Sequence, residues 1–120
     1  MTILKRFYMS AWIWLTIAIS FEIAATSCLK LSLGLTRLVP TILTLVFYTI
    51  SFLSLAITLK TLEIGIAYAI WSGVGTALIT LIGIAFFDES MSLIKIGSIF
   101  LIILGVVGLN LISNPQAVLK

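Results

Sequence analysis

The amino-acid sequence predicts an all-α membrane protein with four transmembrane helices in a single domain. Of the 120 residues, 62% are hydrophobic and 9% are charged, whereas soluble domains carry about 25% charged residues. Four apolar stretches are each long enough to cross a bilayer as a helix, which takes roughly 20 residues. The polar segments between them are too short to hold a second domain. Neighbouring helices must therefore run antiparallel, with both termini on one side of the membrane.

The first helix is predicted over residues 11–33, after a short tail of residues 1–10. Trp12 and Trp14 stand at its start, where the amphipathic tryptophan ring suits the membrane interface. The tail adds nothing to the apolar span, and Met9 is an alternative start of translation.

The other three helices are bounded by turn residues and charges. Residues 34–37 form the first turn, and Pro40 fits the first turn of the second helix, where its missing N–H costs no hydrogen bond. Glu63 precedes the third helix, near the positive end of the helix dipole. The polar segment 88–92 is predicted to be a solvated loop, and Asn114-Pro-Gln ends the fourth helix. The predicted ranges are 39–59, 64–87 and 93–113.

One carboxylate, Glu22, lies near the middle of the first span. A helix rises about 1.5 Å per residue, which places Glu22 roughly 15 Å from either end of the apolar stretch. An ionised carboxylate at that depth costs on the order of 3 kcal/mol. No lysine or arginine lies at comparable depth in another span to neutralise it. This position predicts a site for a proton or a cation, and the alternative is a protonated carboxyl that hydrogen-bonds a neighbouring helix.

Most of the residues predicted to surround Glu22 are small or aromatic. They share its helix face by steps of three or four residues, or occupy one face of the second or third helix. They are Ala18, Ile19, Thr26, Tyr48, Tyr68, Trp71 and Ser72. Aromatic rings beside a carboxylate favour an organic cation, since cation–π attraction contributes about 0.5–2 kcal/mol per ring. Trp71 is the most informative member, because tryptophan prefers membrane interfaces and this one falls well inside its span.

Glycines mark places where helices could bend or approach one another closely. Gly73 and Gly75 interrupt the third helix, where they could permit a bend. Gly97, Gly105 and Gly108 recur at helical spacing along the fourth helix. Such a stripe suits contact between helices in lipid, either with a second subunit or within the chain.

Composition excludes several other kinds of site. The chain has no histidine and one cysteine, Cys28, so it has no internal disulfide and no zinc or haem site is expected. No catalytic triad or phosphate loop is present, and we predict neither an enzyme nor a bound cofactor. The basic residues are scattered near the ends of the spans, which suits lipid headgroups better than nucleic acid.

Several segments together resemble the small multidrug resistance family. Glu22 is followed by Leu29-Lys-Leu-Ser-Leu-Gly34 and Thr36-Arg37, and the most specific segment is Gly65-Ile-Ala-Tyr-Ala-Ile-Trp-Ser-Gly-Val-Gly75. Phe86-Phe87 with Glu89, and Gly105-Val-Val-Gly108, fit the last third of the family pattern. The resemblance covers nearly the whole chain from Met9. The sequence departs from the family in its third loop and in its N-terminal extension.

The resemblance implies a proton-coupled exporter in the bacterial inner membrane that works as an antiparallel homodimer. Glu22 would be the essential membrane carboxylate, protons would be the coupling ion, and Gly73 and Gly75 would kink the third helix. The substrate-lining positions would be Ala18, Ile19, Thr26, Tyr48, Tyr68 and Trp71. Members of the guanidinium branch often carry a tryptophan three residues after the glutamate, where this chain has Ala25. The resemblance therefore favours the branch that exports hydrophobic organic cations such as quaternary ammonium compounds.

Other functions stay open at this point. The chain could export guanidinium or a polyamine, as a homodimer or as half of a heterodimer. It could also be a non-transporting accessory subunit of a membrane complex.

The distribution of positive charge leaves the orientation in the membrane open. Four basic residues fall on the side of the termini and three on the other, or two against three if translation starts at Met9. The first group is Lys5, Arg6, Lys60 and Lys120, and the second is Lys30, Arg37 and Lys95. Neither count sets a strong orientation under the positive-inside rule, so both orientations could be populated from one gene.

Overall fold

The computed structural model describes residues 2–113, apart from the side chains of Thr2 and Leu4. The described residues form four helices, each long and apolar enough to cross a membrane, and contain no strand. The prediction of an all-α protein with four membrane spans is therefore confirmed. The helices are α1, Thr2–Leu31; α2, Leu38–Thr58; α3, Ile64–Phe86; and α4, Leu93–Ile112.

The first helix extends further toward the N-terminus than predicted. α1 begins at Thr2, so residues 2–10 continue the helix and do not form a tail. This segment contains no glycine or proline to interrupt it. Tyr8 also holds it in place, since its ring packs edge-on against Trp12 with centroids 5.9 Å apart and its hydroxyl lies 2.5 Å from the Ser113 hydroxyl. The second contact brings the two ends of the described chain together on one side of the bundle.

The C-terminal end of α1 comes two residues before the predicted end at residue 33. Leu33, Gly34 and Leu35 have φ angles of 51°, 74° and 67°, which no helix can accommodate. The Ser32 hydroxyl braces this turn by accepting a hydrogen bond from the Leu35 N–H at 3.0 Å. The ends of α2, α3 and α4 lie within one residue of the predicted ends. The predicted stop at residues 114–116 lies outside the described residues.

The bundle is built on α1, which packs against α2 and α3, while α4 packs against α3. Hydroxyl groups join α1 to α2. Ser51 donates to the Ala18 carbonyl at 2.6 Å, and Thr58 donates to the Ala11 carbonyl at 3.4 Å. Close packing and hydrogen bonds of this kind hold helices together in lipid, where the hydrophobic effect contributes little. α4 buries none of its residues in the chain.

Most of the buried apolar side chains cluster in the half of the bundle nearer the termini. They come from α1 before Glu22, from the end of α2 and the loop after it, and from α3 before Trp71. The cluster comprises Ala11, Leu15, Ala18, Ile19, Leu55, Leu62, Ile66, Ala67 and Ile70. Glu22 and Trp71 therefore lie at the boundary of a packed apolar half.

Candidate functional site

The Glu22 carboxylate is anchored through only one of its two oxygens. Oε1 accepts a hydrogen bond from the Thr26 hydroxyl, one helical turn later, at 2.8 Å. Oε2 is buried and has no hydrogen-bond partner among the described residues. Buried polar atoms in folded proteins are nearly always paired, so an unpaired carboxylate oxygen inside a span points to an external partner. A proton or a cation fits that description.

A hydroxyl from α2 extends the contact with the carboxylate. The Tyr48 hydroxyl lies 2.7 Å from the Thr26 hydroxyl. Each hydroxyl carries one hydrogen, and that of Thr26 is donated to Glu22, so Tyr48 must donate to Thr26. The two hydrogen bonds, from Tyr48 to Thr26 and from Thr26 to Glu22, connect α2 to α1 and orient the carboxylate.

Helix α3 approaches the carboxylate at Gly75. A Cβ atom built on Gly75 would lie 2.8 Å from Glu22 Oε2, closer than real Cβ atoms come to their neighbours. On another face of α3, a Cβ atom on Gly73 would lie 2.8 Å from Cγ2 of Val106 in α4. α3 stays helical through both positions, and the two glycines permit close approach to different neighbours. The kink predicted at these glycines stays a prediction.

The carboxylate borders a small cleft between α1 and α3, here called the Glu22 cleft. Its volume is about 130 Å³, and it is lined by Glu22, Trp71, Ser72, Thr76 and Ile79. The indole N–H of Trp71 is buried and, like Oε2, has no partner among the described residues. The Ser72 hydroxyl is occupied by its own helix, since it donates to the Ala69 carbonyl at 3.4 Å.

A row of four aromatic rings runs beside the cleft from α2 to α3. Tyr48 stacks on Phe52 with centroids 6.0 Å apart, and Phe52 packs against Trp71 at 5.9 Å. Tyr68 contacts the same indole at 5.5 Å. Phe52 and Tyr68 are 53% and 57% exposed, so their faces remain free to contact another molecule. Rings next to a carboxylate attract organic cations by both charge and cation–π interaction.

The structure brings together most of the residues predicted to surround Glu22, but not all of them. The carboxylate accepts a hydrogen bond from Thr26, which in turn contacts Tyr48. The cleft is lined by Trp71 and Ser72, and Tyr68 contacts Trp71. Two other residues from the set lie elsewhere. Ala18 is fully buried at the contact with Ser51, and Ile19 lines a separate groove of about 280 Å³ between α1 and α3. A substrate role for Ala18 and Ile19 stays a prediction.

Two residues of the site were missed by sequence reasoning. Phe52 continues the aromatic row, and Thr76 lines the Glu22 cleft. Phe52 follows Tyr48 by four residues, and Thr76 follows Ser72 by four. Helical spacing alone would have placed both on the correct faces.

The loop after α3 is exposed at all five residues 88–92, as predicted, and it also folds back onto α3 and α1. Asp88 has a φ of 58°, which turns the chain so that the Glu89 N–H donates to the Gly83 carbonyl at 3.1 Å. The Glu89 carboxylate then lies 3.8 Å from the Lys30 ammonium group of α1. Glu89 and Thr26 line the same cavity, so this loop reaches the neighbourhood of the site.

The glycine stripe on α4 makes no close contact with residues 2–113. A Cβ atom on Gly97, Gly105 or Gly108 would meet nothing within 4 Å. The stripe is therefore free to pack against a second subunit, and its role as a dimer contact stays a prediction. No cluster of three or more His, Cys, Asp or Glu side chains that could hold a metal ion occurs in residues 2–113.

The sequence is similar to a known family and to proteins of several bacteria. The family model for the Small Multidrug Resistance protein matches residues 10–102, which include Glu22, the aromatic row and Gly75. The chain is 50% identical over 103 residues to the uncharacterized membrane protein YvaE of Bacillus subtilis, covering 86% of this chain and 87% of YvaE.

Two other relatives carry functional names. The quaternary ammonium compound-resistance protein QacE of Escherichia coli is 40% identical over 109 residues, covering 91% of this chain and 99% of QacE. The nicotine metabolites export pump subunit NepA of Paenarthrobacter nicotinovorans is 43% identical over 103 residues, covering 86% and 89% of the two chains. With the family model matching most of its length and with these relatives, the chain belongs to the small multidrug resistance family, as a multi-pass protein of the bacterial inner membrane.

Proposed function

We propose that this chain is a proton-coupled antiporter that exports hydrophobic organic cations, with Glu22 shared by proton and substrate. The observation that carries the proposal is the buried, unpaired Oε2 of Glu22 in the middle of a membrane span. A carboxylate in that position needs a positively charged partner, and this chain offers none at that depth.

Competition for one carboxylate is enough to couple the two fluxes. A proton on Oε2 removes the negative charge, and an organic cation then loses its main attraction to the cleft. A bound cation in turn stabilises the ionised carboxylate and excludes the proton. Because Oε1 stays anchored by Thr26 in both states, the exchange takes place at Oε2 without rebuilding the site.

The aromatic row supports a hydrophobic cation as the substrate. Rings of Phe52, Tyr68 and Trp71 offer apolar area as well as cation–π attraction, which suits a quaternary ammonium group with apolar substituents. QacE, the relative named for quaternary ammonium resistance, agrees with this class.

A second candidate is export of guanidinium or a polyamine as one half of a heterodimer. The observation that favours a heteromeric pump is the relative NepA, which is named as a subunit of an export pump. A small cation would also fit the modest volume of the Glu22 cleft, about 130 Å³ in one chain.

A transport assay with both kinds of substrate separates the two candidates. Purified protein would be placed in liposomes with an acidic interior, so that protons flowing out can drive cations in. Guanidinium and a benzalkonium-type quaternary ammonium ion would be offered side by side. We expect proton-driven uptake of the quaternary ammonium ion and little movement of guanidinium, because the rings favour an apolar cation. Transport of guanidinium alone would contradict the proposal, and no transport by the pure chain would favour a missing partner.

We further propose that the functional unit is an antiparallel homodimer. Ligand pockets usually have volumes of about 300–1,000 Å³, which one chain does not provide at Glu22. Exposed aromatic faces at Phe52 and Tyr68, and an α4 that buries no residue, are surfaces that a second copy could cover. Two copies in opposite orientations would also supply the inverted repeat from which many transporters obtain alternating access.

Dual insertion can be tested by labelling single cysteines in the loops. Cys28 would first be replaced by alanine, and Ser90→Cys or Thr61→Cys would then be introduced on opposite ends of the bundle without changing the charge. We expect an impermeant maleimide to label about half of the molecules at each position in intact cells, since the charge bias is weak. The remaining half should be labelled only after permeabilisation.

All-or-none labelling would contradict dual insertion. If Ser90→Cys were exposed in every molecule and Thr61→Cys in none, or the reverse, this chain would have a single orientation. An oppositely inserted paralogue would then be needed to form the inverted pair.

A further inference from the structure

A second cavity adjoins the Glu22 cleft on the side of the first and third loops. This loop-side vestibule has a volume of about 210 Å³, and its lining includes Thr26, Ser27, Lys30, Thr80, Gly83 and Glu89. Ile79 lines both the vestibule and the Glu22 cleft, and Thr26 joins them through its hydrogen bond to Glu22. Hydroxyl groups and charges thus continue from the carboxylate toward this end of the bundle.

The opposite direction is closed by apolar packing. On the side of the termini, the α1 residues that precede Glu22 are buried. Ala18, Leu15 and Ala11 are 0–2% exposed. On α3 the corresponding residues, Ile70, Ala67 and Ile66, are also buried. Within one subunit, a polar cavity therefore adjoins the Glu22 cleft on the loop side, whereas buried apolar side chains lie toward the termini.

Glu89 is held at the mouth of the vestibule by the fold of the third loop. The left-handed backbone at Asp88 and the hydrogen bond from the Glu89 N–H to the Gly83 carbonyl bring Glu89 back over α3. The Glu89 carboxylate lies directly against Gly83, where a Cβ atom would displace it. The folded backbone of the loop thus brings the Glu89 side chain to the mouth of the vestibule.

Lys30, its partner, is held less firmly. The Lys30 side chain is 60% exposed against 43% for Glu89, and the two charges are 3.8 Å apart. A long lysine side chain can move into solvent at little cost, because an exposed ion pair contributes little to stability. The other charged groups at this end are Arg37, Asp88 and Lys95. The Lys95 ammonium group donates a hydrogen bond to the Ser90 carbonyl. None of these three lines the vestibule.

We propose that the loop-side vestibule is the route by which organic cations reach Glu22 in each subunit, and that Glu89 is a peripheral cation-binding carboxylate at its mouth. An incoming cation takes the place of the Lys30 ammonium beside Glu89 and then passes the Thr26 and Thr80 hydroxyls to the Glu22 cleft. Lys30 returns when the cation has moved on. The inference rests on the proposed function for the identity of the ligand, but its geometry is independent of proton coupling.

Charge-selective labelling tests the vestibule without any transport measurement. In a Cys28→Ala background, Thr80→Cys places a thiol in the vestibule, and cationic and anionic methanethiosulfonate reagents of equal size report the local potential. The ratio of the cationic to the anionic rate constant is expected to fall about tenfold on Glu89→Gln and to rise by a similar factor on Lys30→Gln at low salt. Thr61→Cys, at the other end of the bundle, should show no change in this ratio. Near 1 M salt the effects should vanish, since the Debye length falls to about 3 Å.

Binding kinetics give the second readout. Rapid mixing of the detergent-solubilised protein with benzyltrimethylammonium should show association slowed about fivefold in Glu89→Gln and dissociation slowed by a similar factor. The Kd should stay within about twofold, because a charge at the rim changes rates more than affinity. Glutamine matches glutamate in shape, and the hydrogen bond from the residue 89 N–H to Gly83 is a backbone bond that survives the substitution.

The outcomes separate this proposal from the proposed function. Unchanged labelling ratios in both charge variants, or unchanged association rates, would overturn the vestibule route even if Glu22→Gln abolishes binding. A Kd that rises as association slows would mean that Glu89 belongs to the final site and not to its approach. If Glu22→Gln still binds the cation, the proposed function fails, while the labelling ratios still decide the vestibule.

Discussion

Replacing Glu22 with glutamine is expected to abolish proton-coupled transport while leaving the fold intact. Glutamine keeps the size of the side chain, and its carbonyl oxygen can still accept the hydrogen bond from Thr26. What it loses is the ionisable Oε2, the buried atom for which residues 2–113 offer no hydrogen-bond partner. Proton release on addition of a quaternary ammonium ion in detergent should disappear, and transport in liposomes should fall to the level of protein-free vesicles.

Two companion variants sharpen this test. Glu22→Asp keeps the charge but shortens the side chain by one methylene, which weakens the contact with Thr26, so it should retain some transport with a shifted pH dependence. Glu63→Gln removes a carboxylate at the exposed N-cap of α3 and should leave proton release unchanged. If Glu22→Gln still releases protons and still transports, the carboxylate is not the coupling site.

The positions of the four helices were predictable because charged residues, glycine and short polar segments interrupt the apolar stretches. Charges and glycine separate the spans, and the ends of α2, α3 and α4 lie within one residue of their predicted places. The start of α1 was wrong for a physical reason. Residues 2–10 carry two charges, Lys5 and Arg6, but contain no turn residue that would end the helix. Tyr8 contacts Ser113, 105 residues away in sequence. A pattern of local spacing carries no information on such a contact.

Helical spacing identified most of the site on α1, α2 and α3, but not which neighbouring helix each residue of α1 contacts. Spacing by four residues placed Thr26 beside Glu22, and the hydrogen bond between them is present. The same rule grouped Ala18 with Glu22, yet that residue faces Ser51 of α2. A helix face is broad enough to touch two neighbours, and which neighbour covers which residue depends on the rotation of each helix.

The third loop shows the same limit. Its polar sequence correctly indicated solvation, but it did not indicate that Glu89 returns to contact Gly83, five residues before the loop's Asp88. Only the folded backbone shows this contact.

Replacing Trp71 with alanine is expected to weaken the binding of aromatic cations by about thirtyfold. The indole contacts Phe52 and Tyr68 and forms a wall of the Glu22 cleft, so its loss removes a cation–π contact of about 2 kcal/mol in a desolvated site. The fold should change little, because Trp71 is only half-buried and most of the apolar cluster lies toward the termini. Equilibrium binding of an aromatic and an aliphatic quaternary ammonium ion, measured with circular dichroism on the same samples, checks both statements.

Matched variants decide whether the ring itself is responsible. Trp71→Phe keeps an aromatic face and loses an N–H that has no partner among the described residues, so its affinity should stay within about threefold of the wild type. Trp14→Ala removes a tryptophan of α1 that lines a different groove and should not alter binding. The aliphatic cation should lose less affinity than the aromatic one in Trp71→Ala, since stacking contributes only to the aromatic ligand. A Trp71→Ala protein that binds every cation as tightly as the wild type would assign Trp71 to helix packing and leave Glu22 as the principal cation ligand.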